Sequence, residues 1–510
     1  MRLGQGIEQA RVASLAMLRM ALIVGLAVAG LWLALAKLHD QAAGVRVERV
    51  DIDGVPAQVF RPEGPAKGPV LVIEHGFAGS ARIMDSFALS AARAGYVAVS
   101  YDSAGHGRNP APLSGSITEI DGATVTLRRE LETVMRAARG YGDGRLAVLG
   151  HSMATDIVVR AVRSQGGVDA TILVSMFSRE VTPATPPNLL VVTGEWEPRL
   201  RQEALWAAGL MDPSAQEGET VGFEGNWRRA AVAPHVEHVS VLFSTATMAE
   251  MVGWLDQTFG AVPQGAVADR GGWIALLLLC GAVLAGQGMR LLPQVAAEPQ
   301  GAGLPWRRLW WVVLVPVVVV PLGLRFVPTG FLPVLVADYL AVHFAAFGGV
   351  LALCLWRAGA PRPDWPPRAL LAGLIGFALV AGLIFWPIDA YLTNFYPGPG
   401  RAVVMAAILA GTLPCFLALE WAMRGAGAGR LEGVALKAGL LVSLLIAVAL
   451  DFERLMFLLI ILPVVVLAFL LFGWLSARAY GATRHPFAGA LMQALAFAWA
   501  LGVTFPLLAG

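Results

Sequence analysis

The segment LAVLGHSMATDIVVR (residues 146–160) joins a short apolar run to a helix-like segment through the turn Gly150-His151-Ser152-Met153-Ala154. A serine on such a tight strand-to-helix turn presents its hydroxyl above the end of a sheet. The first N–H groups of the helix, with the positive end of its dipole, then point at any negative charge that develops there. The segment therefore predicts a strand, a sharp turn and a helix, with Ser152 as a candidate nucleophile.

The composition of the whole chain is that of a membrane protein. Of its 510 residues, 56% are hydrophobic and only 15% are charged, whereas soluble domains carry about 25% charged residues. The formal net charge of +2 is too small to indicate a nucleic-acid partner. All three cysteines lie in apolar runs, which predicts neither a disulfide framework nor a thiolate metal site: Cys280, Cys354 and Cys415.

Three regions follow one another along the chain. Residues 1–40 are expected to form an N-terminal tail and a transmembrane anchor, because residues 13–38 are apolar enough to cross a ~30 Å hydrocarbon core. Residues 45–262 alternate short β-rich runs with helical patterns, which predicts a mostly parallel, doubly wound α/β sheet. Residues 270–510 are expected to form a membrane domain of about eight transmembrane helices.

The basic residues of the loops predict the orientation of these regions. Loops rich in arginine alternate with loops nearly free of it, and basic loops stay in the cytoplasm. This bias predicts a bacterial inner-membrane protein with a cytoplasmic N-terminus and an extracytoplasmic, or periplasmic, α/β domain. The basic loops contain Arg290/Arg307/Arg308, Arg357/Arg362/Arg368, Arg424/Arg430/Lys437 and Arg478/Arg484.

The turn at residues 150–154, GHSMA, resembles the G-x-S-x-G nucleophile elbow of α/β hydrolases, with Ala154 at the last glycine. The segment VIEHGFAGS (72–80) is similar to the oxyanion loop of that family. The resemblance implies that Ser152 is the nucleophile. It also implies an oxyanion hole formed by the backbone N–H groups of Phe77 and Met153.

The other two members of a catalytic triad are implied by later segments. LLVVTGEWEP ends like the strand that supplies the family's acid, with Glu197 at the matching position and Glu195 as a rival. VAPHVEHVSVLFS resembles the loop with the terminal histidine, where His238 is favoured over His235. The order serine, acid, histidine is that of the α/β hydrolases.

Other polar residues in these motifs have structural expectations. VSYDSAGHGRNP is similar to a D-x-x-G-H-G segment of the family, which implies that Asp102 and His106 shape the floor of the site. His75 and His151 are expected to bond to the backbone of the site. The pair His235 and His238 has the spacing of a chelate, but no third ligand cluster accompanies it, so no metal site is predicted.

The resemblance implies a serine ester hydrolase, esterase-like or lipase-like, that acts through an acyl-enzyme and requires no cofactor. The domain is tethered at both ends and shows no long cap insertion, so we expect a lipid or another hydrophobic ester as substrate and membrane lipids as partners. Three alternatives remain open at this point. They are acyl transfer by the same triad, a transporter with an accessory hydrolase domain, and an inactive hydrolase that serves as a binding module.

Overall fold

The structure, a computed structural model, describes residues 2–64, 68–116, 122–223, 225–262 and 266–509. The chain divides into two compact units. The α/β unit contains Leu33–Leu276 together with two later segments, Ile388–Gly398 and the C-terminal residues from Pro506. The helical unit contains the remaining residues.

One mixed sheet forms the centre of the α/β unit. Its strands in the described residues are β1 (Val45–Ile52), β2 (Val55–Pro62), β3 (Val70–Glu74), β4 (Val97–Tyr101), β5 (Leu146–His151), β6 (Ala170–Val174), β7 (Leu189–Gly194), β8 (Thr220–Phe223) and β9 (Asn226–Ala233). They lie in the order β1-β2-β4-β3-β5-β6-β7-β9-β8. The run from β4 to β9 is parallel, and β1, β2 and β8 pair antiparallel at the two ends. The predicted mostly parallel sheet is confirmed.

Helices on both faces explain why the central strands are apolar throughout. After the long helix α1 (Arg2–Gln41), the helices of this unit are α2 (Asp85–Arg93), α3 (Ala123–Ala138), α4 (Met153–Gln165), α5 (Pro198–Gly209) and α6 (Thr245–Phe259). Residues of α3, α4 and α5 share one core with the sheet, and residues of α2 and α6 share the other. Every residue of β3 to β7 is buried, as expected of strands covered on both sides.

The helical unit is built from long apolar helices. They are α7 (Gly271–Met289), α8 (Trp306–Leu324), α9 (Ala337–Arg357), α10 (Pro367–Val380), α11 (Arg401–Met423), α12 (Arg430–Leu450), the short α13 (Phe452–Leu455), α14 (Phe457–Thr483) and α15 (Pro486–Thr504). With α1, and with α10 counted together with its continuation to Leu392, nine helices in the described part of the chain are long and apolar enough to cross a membrane. Exposed apolar side chains such as Val464, Leu467 and Leu470 on α14 suit a lipid environment. These helices are compatible with the predicted anchor and membrane domain.

Candidate active site

Ser152 occupies a strained turn between β5 and α4. Its backbone has φ 54° and ψ −117°, a conformation that residues with a side chain rarely adopt. The turn also needs small neighbours, because a Cβ on Gly150 would lie 2.9 Å from the carbonyl oxygen of Ala154. Backbone strain of this kind is characteristic of functional sites, and here it holds the hydroxyl at the carboxyl end of the parallel strands.

A continuous chain of hydrogen bonds connects Ser152, His238 and Glu197. Nε2 of His238 lies 2.8 Å from Oγ of Ser152. Nδ1 of His238 lies 2.6 Å from Oε1 of Glu197. The serine follows β5, the glutamate follows β7 and the histidine follows β9, so all three lie at the same end of the parallel strands. The structure therefore brings together the three side chains to which sequence analysis assigned the triad.

The surroundings of Glu197 keep it ionised. Burial raises the pKa of this carboxyl, but hydrogen bonds from His238, from the N–H of Gly194 and from Ser175 together bring it below its ordinary value. The last two both donate to Oε2, at 2.7 Å and 2.8 Å. Ser175 follows β6 with a φ of 55° and was missed by the sequence analysis. Its only sequence signal is its place directly after a buried strand.

The rival residues pair with each other outside this chain of hydrogen bonds. Oε2 of Glu195 accepts the backbone N–H of His235 at 2.7 Å and lies 3.2 Å from Nδ1 of the same residue. The side chain of His235 is 84% exposed. This geometry gives neither of them a contact with Ser152.

The segment of Phe77 packs directly against the candidate nucleophile. A Cβ on Gly76 would lie 2.9 Å from Nδ1 of His151 and 3.1 Å from Cβ of Ser152, so only glycine fits here. Phe77 follows Gly76 in the chain, and Met153 is the first residue of α4, where N–H groups have no helical carbonyl to bond. Both residues predicted for the oxyanion hole are therefore next to Ser152 in space or in sequence.

Two neutral histidines hold the loops of the site. Burial lowers the pKa of His75, whose Nδ1 donates to the carbonyl of Gly76 at 2.8 Å and whose Nε2 accepts the N–H of Ser103 at 3.1 Å. Burial, with the neighbouring His238, lowers the pKa of His151 to about 3. Its Nε2–H donates to the carbonyl of His238 at 3.1 Å. Both bond to the backbone, as the sequence analysis expected of them.

Asp102 links the oxyanion segment to a part of the chain almost 300 residues away. Its carboxylate accepts the N–H of Ala81 at 2.7 Å and the N–H of Arg108 at 3.1 Å. The side-chain amide of Asn394 donates to both of its oxygens, at 2.8 Å and 3.0 Å. A Cβ on Gly107 would overlap this carboxylate. Burial raises the pKa of Asp102 in spite of the hydrogen bonds that it accepts from Ala81 and Arg108.

Further bonds from the two late segments hold the same loops. Oγ of Ser80 accepts the N–H of Asn394 at 2.9 Å and lies 2.9 Å from Oγ1 of Thr393. Near the C-terminus, Leu507 donates to the carbonyl of Gly105 at 2.9 Å and accepts the N–H of Leu113 at 2.7 Å. Sequence analysis missed these contacts, because nothing in the local pattern of either segment indicates a partner so distant in the chain.

One family model and several solved structures are similar to parts of this chain. A family model described as serine aminopeptidase, S33, matches residues 65–216. Similar solved structures include a dienelactone hydrolase from Anabaena variabilis, which is 14% identical, has a TM-score of 0.33 and matches 42% of this chain and 99% of its own. A Pyrobaculum calidifontis esterase is 19% identical, with a TM-score of 0.33, over 46% of this chain and 92% of its own. No curated protein matches the chain in sequence.

The family match over residues 65–216 and the order of the strands together show that the α/β unit has the α/β-hydrolase fold. A large C-terminal region of apolar helices is joined to this domain.

Proposed function

We propose that this protein is a membrane-bound serine hydrolase that cleaves a lipid or another hydrophobic ester through an acyl-enzyme. The observation that carries the proposal is the hydrogen-bonded chain from Ser152 through His238 to Glu197, with the serine on a strained turn. Geometry of this kind, in the chain order of the α/β hydrolases, is what nucleophilic catalysis by serine requires.

Ser152, His238 and Glu197 have distinct chemical roles in this mechanism. Oγ of Ser152 attacks the ester carbonyl while Nε2 of His238 takes its proton. Glu197 holds the imidazole in the Nδ1–H tautomer and stabilises the imidazolium. The N–H groups of Phe77 and Met153 bind the oxyanion, and His238 then protonates the leaving alcohol. Water activated by the same histidine hydrolyses the acyl-enzyme, which restores the serine.

The membrane location rests on the apolar helices and on the loop charges. Nine described helices are long enough to span, and the arginine-rich loops fall on one side when all nine cross the membrane. The α/β unit then lies on the extracytoplasmic side. Fusions of alkaline phosphatase test this orientation: activity is expected after residue 260 and none within the loop at residue 362. The reverse pattern would overturn it.

Labelling by a fluorophosphonate tests the serine chemistry. Full-length wild-type protein in detergent is expected to be labelled, and Ser152→Ala is expected to remain unlabelled. Ser164→Ala, which removes an exposed serine on the helix that begins after Ser152, is the matched control and should label like wild type. Folded wild-type protein that takes up no label would refute the proposal.

A substrate panel tests the preference for hydrophobic esters. Medium-chain p-nitrophenyl esters, micellar diacylglycerol and aminoacyl arylamides are compared at equal active-site concentration, counted by the fluorophosphonate label. The proposal expects ester cleavage and a rise in rate above the critical micelle concentration. Faster cleavage of arylamides would instead indicate an aminopeptidase like those of the matching family model. Equal turnover of soluble and micellar esters would remove the support for a lipid substrate.

A further inference from the structure

A cleft of about 480 Å³, lined by both charged and apolar side chains, lies within the α/β unit, and none of the candidate triad residues lines it. Its walls come from the last turn of α1, from β1 and β2, from the start of α2, from Arg270 just before α7, and from the late segment Ile388–Gly398. The charged residues that line it are Arg49, Arg82, Arg270 and Asp85. Nothing in the proposed hydrolysis uses them.

The cations in this cleft outnumber the anion. Arg82 and Arg270 approach the same oxygen of Asp85, at 3.2 Å and 3.5 Å. Side chains of Arg270 and Asp85 are each only 5% exposed, and that of Arg82 is 15% exposed. Charge-assisted hydrogen bonds usually measure about 2.7–2.9 Å, so one carboxylate shared at these distances compensates two guanidinium groups poorly. A buried excess of positive charge is costly unless an anion joins it.

Unused hydrogen-bonding groups accompany this excess of charge. The buried Nε–H groups of Arg82 and Arg270 have no partner among the described residues, and neither does Oδ1 of Asp85. Burial lowers the pKa of Arg270, with a smaller contribution from the nearby Arg82, and the attraction of Asp85 only partly offsets this. The site thus offers several donors for an anion and one acceptor for a hydroxyl or ammonium group.

The position of the cleft in the chain indicates where such an anion would come from. Leu38 and His39 belong to the last turns of α1, and Arg270 immediately precedes α7. Both helices are apolar enough to span a bilayer. Residues at the ends of spanning helices lie at the level of the lipid headgroups, where the phosphate groups are. Guanidinium groups recognise phosphate particularly well because their forked N–H groups match its oxygens.

We propose that Arg82 and Arg270 bind a phosphate group in this cleft, supplied by a phospholipid whose headgroup also donates a hydrogen bond to Asp85. The binding chemistry itself is that of phosphate, whichever molecule carries it. The lipid source rests on the proposed membrane location, whereas the phosphate site does not depend on the proposed catalysis.

Thermal unfolding of delipidated full-length protein in dodecyl maltoside tests the proposal. The probes are phosphatidylglycerol, diacylglycerol of the same chains, and inorganic phosphate. Phosphatidylglycerol is expected to raise Tm by roughly 2–6 °C more than diacylglycerol at saturation, because the two share the acyl chains that a lipid hydrolase binds and only the first carries a phosphate. A rise with inorganic phosphate equal to that with the lipid would keep the phosphate site and overturn the lipid source.

Variants assign the effect to the two arginines. Arg82→Gln combined with Arg270→Gln should weaken phosphatidylglycerol binding at least about tenfold. The milder Arg270→Lys should weaken it by a smaller factor, because lysine lacks the forked donors. Arg46→Gln, on the exposed part of β1, is the control and should bind like wild type. If the double variant does not fold, Arg270→Lys decides the question. The proposal is overturned if the folded variants bind phosphatidylglycerol like wild type, or if no phosphate probe changes Tm. Fluorophosphonate labelling of Ser152 reports separately on the catalytic function.

Discussion

Replacing Glu197 by glutamine tests the proposed acid with almost no change of shape. Oε2 of Glu197 accepts the N–H of Gly194 and the hydroxyl of Ser175, and Oε1 accepts Nδ1–H of His238. A backbone N–H can only donate, so the amide oxygen of the glutamine must take the Oε2 position and its NH₂ group must face His238. The histidine then accepts at Nδ1 and carries its proton on Nε2, where it can no longer take the proton of Ser152.

The size of the effect follows from this change of tautomer. An imidazole held in the wrong tautomer reduces kcat by about 10⁴ in a serine triad, which corresponds to about 5.5 kcal/mol of activation free energy. Glu195→Gln is the matched control two residues away. Its carboxylate bonds to His235 at the surface, and surface substitutions change a free energy by about 0.5 kcal/mol or less. We expect the control to stay within about twofold of wild type.

Two rates measure the outcome on full-length protein at pH 8. They are the rate of fluorophosphonate labelling and the rate of p-nitrophenyl ester hydrolysis, each with thermal unfolding to show that the variants are folded. A Glu197→Gln enzyme within tenfold of wild type would refute the tautomer reasoning. A large loss in Glu195→Gln instead would transfer the role of the acid to that residue.

Three further variants test the loops around the site. The pKa of His151 is about 3 in the folded state and near 6.5 in the unfolded state. The free energy of unfolding is therefore highest above pH 6.5 and declines by up to ~4 kcal/mol as the pH falls towards 3. His151→Gln should flatten this decline, which is measured as Tm against pH. Asn394→Leu removes two hydrogen bonds from the buried Asp102 carboxylate and should cost about 3 kcal/mol in denaturant unfolding; an unchanged midpoint would contradict this. Gly76→Ala forces the oxyanion segment away from the nucleophile and should lower kcat/KM about 10²-fold, whereas Gly253→Ala on α6, where a Cβ meets open space, should leave it unchanged.

Local patterns were enough to predict the α/β unit and the candidate site residues. The elbow at Ser152 is a strand, a turn and a helix in direct succession. A continuous apolar run indicates the strand, the small residues indicate the turn, and a helical pattern follows. The later motifs lie directly after buried strands, and the ends of parallel strands meet at one edge of a sheet. The choice between Glu195 and Glu197 is different, because residues two apart in a turn have no periodicity that distinguishes them. The match to the family's motif alone favoured Glu197 in the sequence, and in the structure Glu197 lies 2.6 Å from Nδ1 of His238.

Contacts between distant parts of the chain were outside the reach of sequence reasoning. Asn394 lies in a stretch rich in turn residues and aromatics, which predicts a loop at the end of a helix but says nothing of Asp102. Leu507 ends an apolar helix region and pairs with Gly105 through backbone atoms alone, which no side-chain pattern records. Such pairings depend on how the helices between the two segments are arranged in space, and a single sequence does not indicate that arrangement.

The late position of these two segments has a consequence for when the α/β unit is completed during translation. Chains fold as they emerge, N-terminal parts first, and the ribosome has made Ser152, Glu197 and His238 long before it reaches Asn394 and Leu507. Until then the carboxylate of Asp102 lacks the side-chain amide of Asn394, and the carbonyl of Gly105 lacks the N–H of Leu507. The loops around the candidate site thus receive their last hydrogen bonds only after α15 has been made, so that an interrupted chain leaves these loops incomplete.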